Sequence, residues 1–203
     1  MRRTLRRWTG VLCLGIAVLQ PATAGVDEWN FRAFLDGSPI GEHRFVLSGA
    51  GDERHLSSEA SFAVKLLGIT AYRYRHSATE RWRGNCLVRL AADTDDGGKR
   101  SRVRLGAEGD GPLAGCVMSF AYWNPAIRSQ TRLLNAQTGL QENVRVSRIE
   151  EAVIDVRGTA TQAVRWRITG PAAAIDIWYS TADEWIGLDS TLESGRKLSY
   201  RLP

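Results

Sequence analysis

The stretch from Ala71 to Arg83 constrains the fold of this chain more than any other. Because successive side chains of a β-strand point to opposite faces, its alternating residues predict a strand with two unlike faces. One face would carry a row made mostly of arginine: Arg73, Arg75, Ser77, Thr79, Arg81 and Arg83. The other would carry mostly large rings, with a histidine and a carboxylate among them: Tyr72, Tyr74, His76, Ala78, Glu80 and Trp82.

The even-numbered row is the better candidate for the interior, because large rings dominate burial in β proteins. A dry sandwich core would instead use Val, Ile, Leu and Phe, since a buried polar group without a partner costs roughly 1 to 3 kcal/mol. His76 and Glu80 therefore predict a half-polar interior. They cannot pair directly, because four residues of extended strand separate them by about 13 Å.

The first 24 residues have the three parts of a secretory signal peptide. A basic leader is followed by an apolar run from Val11 to Leu19 and by small residues at Ala22 and Ala24. The run is too short to span a bilayer, and we expect cleavage after Ala24. The mature protein would then be periplasmic or secreted, with no transmembrane segment.

The remaining 179 residues, 25–203, suit a single domain. Four of the 27 Lys and Arg residues and none of the 22 acidic residues lie in the leader, so the mature chain has a formal net charge of +1. The high isoelectric point is thus mainly a property of the leader, and the charge gives no support to nucleic-acid binding.

Two cysteines remain after the leader, Cys86 and Cys116, and an even pair in an exported protein is a disulfide candidate. A bridge between them would stabilise the fold by on the order of 3 to 4 kcal/mol. If segments 86–92, 99–106 and 116–122 were successive strands of one meander, however, the outer two would lie about 9.5 Å apart, too far for a bridge. Two separately buried thiols are the alternative.

Short alternating segments divided by turn residues predict an all-β antiparallel fold. So many strands in one domain must close or pack to protect their edges, and the half-polar row favours an antiparallel β-barrel or a strongly curled sheet. Asn124 and Pro125 mark a single short helix, predicted from 125 to about 135. Strands are expected at about 29–35, 40–47, 54–68, 71–83, 86–92, 100–105, 142–148, 151–157, 162–169, 173–180, 185–193 and 197–202.

Four short motifs give the chain a resemblance to known proteins: Tyr122 to Pro125, Leu133 to Gly139, Ile175 to Tyr179 and Leu198 to Leu202. From about Trp29 to the C-terminus, the chain resembles exported bacterial β-rich proteins that are grouped only as domains of unknown function. The resemblance implies a signal peptide followed by a periplasmic β-barrel-like domain. It brings no activity and no catalytic residues.

The residues that could form a site are mainly aromatic. No nucleophile elbow, phosphate-binding loop or zinc-ligand spacing is present, so the sequence predicts no catalytic residue, no metal and no cofactor. Mostly apolar walls with a few placed polar groups are typical of a ligand site. The candidates are Tyr72, Tyr74, His76, Glu80, Trp82, Tyr122, Trp123, Asp176 and Trp178.

Three functions are compatible with these features. The first is a non-catalytic domain that binds an apolar or amphipathic envelope ligand, a lipid or a glycan, in a half-polar lumen. The second is a structural or protein-interaction domain of the envelope, which would show an exposed apolar patch instead of a pocket. The third and least favoured is a hydrolase or lyase acting on an envelope polymer through Glu80, His76 or Asp176, two of which would have to converge.

Overall fold

The computed structural model describes residues 25–66, 69–106, 113–171 and 173–203. The predicted leader and its cleavage point lie outside the described residues. Within them, no helix is long and apolar enough to cross a membrane. The described strands are β1 (Gly25–Leu35), β2 (Ser38–Ala50), β3 (Glu53–Leu66), β4 (Ile69–Arg83), β5 (Cys86–Asp96), β6 (Lys99–Gly106), β7 (Arg132–Leu134), β8 (Gln141–Asn143), β9 (Arg145–Val156), β10 (Thr159–Thr169), β11 (Ile175–Ser180), β12 (Trp185–Thr191) and β13 (Lys197–Arg201).

Eleven strands form one antiparallel sheet, in the order β6-β5-β4-β3-β2-β1-β13-β12-β11-β10-β9. Strands β7 and β8 pair separately. The sheet consists of two meanders of consecutive strands, β1 to β6 and β9 to β13. They are joined where β1 lies beside β13, with Ala33 opposite Tyr200.

The sheet is strongly curled but does not close into a barrel. Its two edge strands, β6 and β9, do not pair with each other. The curl brings the ring centroids of Phe45 on β2 and Trp185 on β12 to 4.9 Å, although strands three positions apart in a flat sheet are separated by about 14 Å. Of the two forms predicted, the barrel is not confirmed, and the curled sheet is compatible with this open sheet.

The orientation of β4 is the one that its sequence predicted. Every odd-numbered residue from Arg73 to Arg83 is exposed. The even-numbered row faces the interior, where Glu80 is 6% and Trp82 is 1% exposed. Tyr72, near the start of the strand, is the exception at 40%.

The chain does not return as a strand after β6. Residues 113–131, which hold one short 3-10 helix, run over the inner face of the curled sheet and bury several apolar side chains there. These include Val117, Met118, Ala121 and Ile127. The segment therefore fills part of the space that a closed barrel would enclose.

This path explains the disulfide between Cys86 and Cys116, which is formed. Segment 116–122 is not a strand of the meander, so the geometric objection to a bridge does not apply. Instead, the backbone N–H of Leu87 donates to the Val117 carbonyl at 2.8 Å, and the two cysteine Cα atoms lie 4.8 Å apart.

The predicted helix from 125 to about 135 is correct only at its start. Asn124 is the N-cap, and its side chain accepts a hydrogen bond from the Ala126 N–H at 3.0 Å. The helix is a five-residue 3-10 helix, Pro125–Ser129. It stops there because the next residues become extended and pair as β7 with β8.

The strands predicted at 142–148 and 151–157 are also wrong in their bounds. The short β8 covers the start of the first, and β9 then runs without a break from Arg145 to Val156. Where β9 pairs with β10, a bulge lies between Arg165 and Trp166 of β10. No Gly or Pro interrupts the segment, so an irregularity in pairing takes the place of the turn that we expected.

Candidate functional site

A cavity of about 370 Å³ lies inside the curl. Its walls come from β2, β3 and β4 on one side and from β10, β11 and β12 on the other, with segment 119–144 between them. Glu80 on β4 and Ile175 on β11 both line it, although six strand positions separate these strands in the sheet. The cavity is thus a direct product of the curl.

Short side chains create the space. Ser58 on β3 lies directly opposite Ala78 on β4, and Ala78 lies opposite Ala92 on β5. All three are buried. Elsewhere the same inner face is filled by large rings, such as Trp82 and Phe31, so the hollow follows from the choice of small residues at adjacent inward positions.

Glu80 supplies a buried carboxyl group to the cavity. The indole Nε1–H of Trp82 donates to its Oε2 at 2.9 Å. Burial raises the pKa of Glu80 from its ordinary value of 4.5 to about 7, because desolvation disfavours the charged form. The nearby Ser119 hydroxyl and Trp82 counteract this rise in pKa only in part.

Two further polar groups near Glu80 have no partner among the described residues. The Ser119 Oγ is close enough to affect the pKa of Glu80, yet the two groups do not meet ordinary hydrogen-bond geometry. The Trp123 Nε1–H is buried and unpaired. The Trp123 ring lies edge-on to Trp82, with 5.4 Å between centroids. We call Glu80, Ser119 and Trp123 the polar end of the cavity.

His76 is a buried neutral residue beside this space. Its Nδ1 lies 2.9 Å from the Thr94 Oγ1, and desolvation lowers its pKa. His43, which the sequence did not single out, faces the same interior two strands away. Burial lowers the pKa of His43 to about 3, and the ring stacks on Phe45 at 4.0 Å. Neither histidine therefore carries charge at neutral pH.

The match to a known family covers all of these site residues. The profile of DUF6134, described as a domain of unknown function, matches residues 31–203. The chain belongs to the DUF6134 family. Comparison with curated proteins gives no match.

A second cavity in this DUF6134 domain, of about 430 Å³, is lined in part by Tyr72 and Tyr74. The Tyr74 ring stacks on Phe62 with 5.4 Å between centroids, and the Tyr72 hydroxyl donates to Asp96. Gln137 borders both cavities, as does Leu192. These two residues therefore lie between two neighbouring hollows in one curled interior.

Two of the predicted site residues lie on the other face of the sheet. Ile175 lines the cavity, so its neighbour Asp176 points away from it. Asp176 accepts hydrogen bonds from Arg167 at 2.6 and 2.7 Å, and Trp178 donates to Asp189 at 2.6 Å. Asp176 and Trp178 thus belong to a network of ion pairs and hydrogen bonds outside the cavity.

The structure brings the other candidates together. The first cavity is lined by His76, Glu80, Tyr122 and Trp123, and the Trp82 indole donates a hydrogen bond to Glu80. Sequence reasoning missed the buried Ser119, because it lies in an apolar segment without alternation. His43 and Phe45 could have been found from the inward parity of β2. Within the described residues, no three His, Cys, Asp or Glu side chains are grouped as a metal site requires.

Proposed function

We propose that this DUF6134 domain is a non-catalytic binding domain, exported to the cell envelope, which holds an apolar or amphipathic molecule in its first cavity. The ligand would be a lipid or the apolar portion of a glycan. The observation that carries the proposal is the cavity, whose mostly apolar and aromatic walls also contain buried polar groups, among them His76, Glu80 and Ser119. Its volume of about 370 Å³ lies within the range typical of small-molecule sites.

The position of the cavity supports this proposal over a simple packing defect. Interiors are normally close-packed, and space left beside apolar side chains costs stability. Here the space lies over Ser58 and Ala78, where one larger residue would have filled much of it. A binding function gives a physical reason for the small side chains.

The geometry gives less support to catalysis. A glycoside hydrolase needs two carboxyl groups on either side of the bond that it cleaves. Glu80 lies in the cavity, whereas Asp176 lies on the opposite face of the sheet and is bound to Arg167. The Nδ1 of His76 is engaged with Thr94.

An interaction domain has weaker support as well. The exposed large apolar side chains are distributed over four segments of the described chain, and singly exposed apolar residues are common on protein surfaces. They are Val26, Ile69, Tyr72, Leu140, Ile149 and Val153.

The test is to fill the cavity by mutation. Ala78→Leu places a branched side chain in the hollow, and we expect it to weaken binding of the apolar fluorescent probe N-phenyl-1-naphthylamine by about tenfold or more. The matched control is Thr79→Leu, the same new side chain on the next, outward-facing residue. Fluorescence titration of both variants, with circular dichroism to verify folding, makes the comparison. Equal probe binding by the wild type and Ala78→Leu, or no probe binding by the wild type, would refute the proposal.

A further inference from the structure

The charged residues that line the first cavity are of one sign. Glu80 and Glu142 are both part of its lining, and no Lys or Arg among the described residues is. His76 also lines it, but burial keeps that ring neutral. An anionic ligand would therefore meet carboxyl groups without a compensating cation, and like charges repel most strongly in a poorly solvated site.

One basic side chain, Arg54, lies beside the Trp123 ring and forms an ion pair with Asp27. Arg54 lies with its guanidinium carbon 6.0 Å from the centre of the Trp123 ring, and its Nη2 pairs with Asp27 at 3.2 Å. It does not line the cavity. Among the described residues, the carboxyl group of Glu80 accepts a hydrogen bond from Trp82 and forms no ion pair with a basic side chain.

Hydrogen-bond acceptors and aromatic rings line the cavity together with the carboxyl group of Glu80. Glu80 accepts one protein hydrogen bond, and the lone pairs of the buried Ser119 Oγ have no partner among the described residues. The rings of Phe120, Tyr122 and Trp123 line the neighbouring wall. Carboxylates with aromatic rings are the surroundings in which a desolvated ammonium group is stabilised.

We propose that the cavity selects amphipathic ligands with a protonated amine head, and that Glu80 is the ion-pair partner of that amine. This inference rests on the proposed binding function and narrows its ligand class. An amine replaces the missing positive partner of Glu80 and donates hydrogen bonds to Glu80 and Ser119. A carboxylate head would do neither, and an alcohol would provide only the hydrogen bonds.

A matched series of ten-carbon compounds tests the selection. Decylamine, decanol and decanoate differ only in the head group, and each is titrated against bound N-phenyl-1-naphthylamine at neutral pH. We expect decylamine to bind about tenfold more tightly than decanoate, with decanol between them. Equal affinities, or tighter binding of decanoate, would overturn the inference.

The variant Glu80→Gln keeps the shape of the side chain and removes its charge. We expect the preference for decylamine over decanol to be lost, so that the variant binds both compounds with about equal affinity. Circular dichroism verifies that the variant is folded. Glu59→Gln, on the exposed face of β3, is the control and should keep the amine preference.

The outcomes separate the two proposals. If the wild type binds neither the probe nor any ten-carbon compound, the binding function itself fails. If all three compounds displace the probe without a preference for the amine, only the head-group inference fails. If Glu80→Gln folds and keeps the full preference, Glu80 is not the partner and the inference is wrong in that form.

Discussion

The buried carboxyl group of Glu80 makes the stability of this protein depend on pH. Because the pKa of Glu80 rises from 4.5 to about 7 on folding, the folded chain binds this proton more tightly than the unfolded chain does. The contribution of Glu80 to stability is therefore complete below about pH 4.5 and is lost as the pH rises through about 7.

The buried His43 has the opposite effect on the pH dependence of stability, since its pKa falls from 6.5 to about 3. Its contribution is complete above pH 6.5 and is lost as the pH falls toward 3.

Glu80→Gln should remove the loss of stability on the alkaline side. We expect the difference in unfolding free energy between this variant and the wild type to move in favour of the variant by on the order of 1 to 3 kcal/mol between pH 5 and pH 8. Urea unfolding at several pH values measures it. Glu59→Gln, on the exposed face of β3, is the matched control. A difference for Glu80→Gln that does not change with pH would contradict the burial argument.

The sequence indicated these residues unevenly, for a physical reason. The period of two on β4 fixed the face of Glu80 without any knowledge of its partners. The position of Ser119 depends on where a segment without repeating pattern crosses the sheet, and no local rule contains that information. Asp176 alternates as cleanly as Glu80 does, but both faces of β11 are buried, so alternation could not identify the cavity side.

At the scale of an element, the position of segment 113–131, which crosses the inner face of the sheet, depends on the disulfide between Cys86 and Cys116. The disulfide holds Cys116 against the start of β5, and Ser119 and Trp123 follow within seven residues. A fixed point so close to the polar end of the cavity limits how far those side chains can move. The bond thus couples the stability of the fold to the geometry of the site.

Reduction of this disulfide should lower both the free energy of unfolding and the affinity for the fluorescent probe. Closing a loop of this length is worth on the order of 3 to 4 kcal/mol, so we expect urea unfolding with dithiothreitol to show a loss of that size. Probe affinity should fall under the same conditions, because the segment with Ser119 is released. The double variant Cys86→Ala, Cys116→Ala is the control, and dithiothreitol should not affect it further. Unchanged unfolding of the reduced wild type would contradict this role.

Elements were predictable where the local pattern was consistent along the strand. The hairpins of β1 to β6 follow from alternation and turn residues, and their predicted bounds agree with the structure to within about four residues, with β1 starting earlier and β5 ending later than predicted. The helix cap at Asn124 was also predictable, because it depends only on neighbouring residues. The length of the helix was not, since the pairing of β7 with β8 ended it, and that pairing depends on tertiary position.

For the whole molecule, the last strand completes the sheet. β13 fills the place between β1 and β12, and it buries Tyr200, while Leu202 beyond it is buried too. The Leu202 carbonyl also accepts from the Arg157 N–H at 3.1 Å. Without β13, two central strands would lose a neighbour and two core side chains would be missing.

Deletion of residues 197–203 should therefore abolish cooperative unfolding. The measurement is thermal unfolding followed by near-ultraviolet circular dichroism, and the control is removal of Pro203 alone, an exposed terminal residue. The control should unfold as the full chain does. A sharp transition in the longer deletion would show that the two meanders hold together without β13.

The pairing of β1 with β13 also has a consequence for the rate of folding. Every other neighbouring pair in the main sheet is a local hairpin, which forms on the microsecond scale. The contact that joins the two meanders links residues such as Arg32 and Arg201, near the two ends of the described chain. Contacts of such long range close slowly, because the chain loses loop entropy before it gains the contact. The step that joins the two meanders through β1 and β13 should therefore be slower than the formation of the hairpins within each meander.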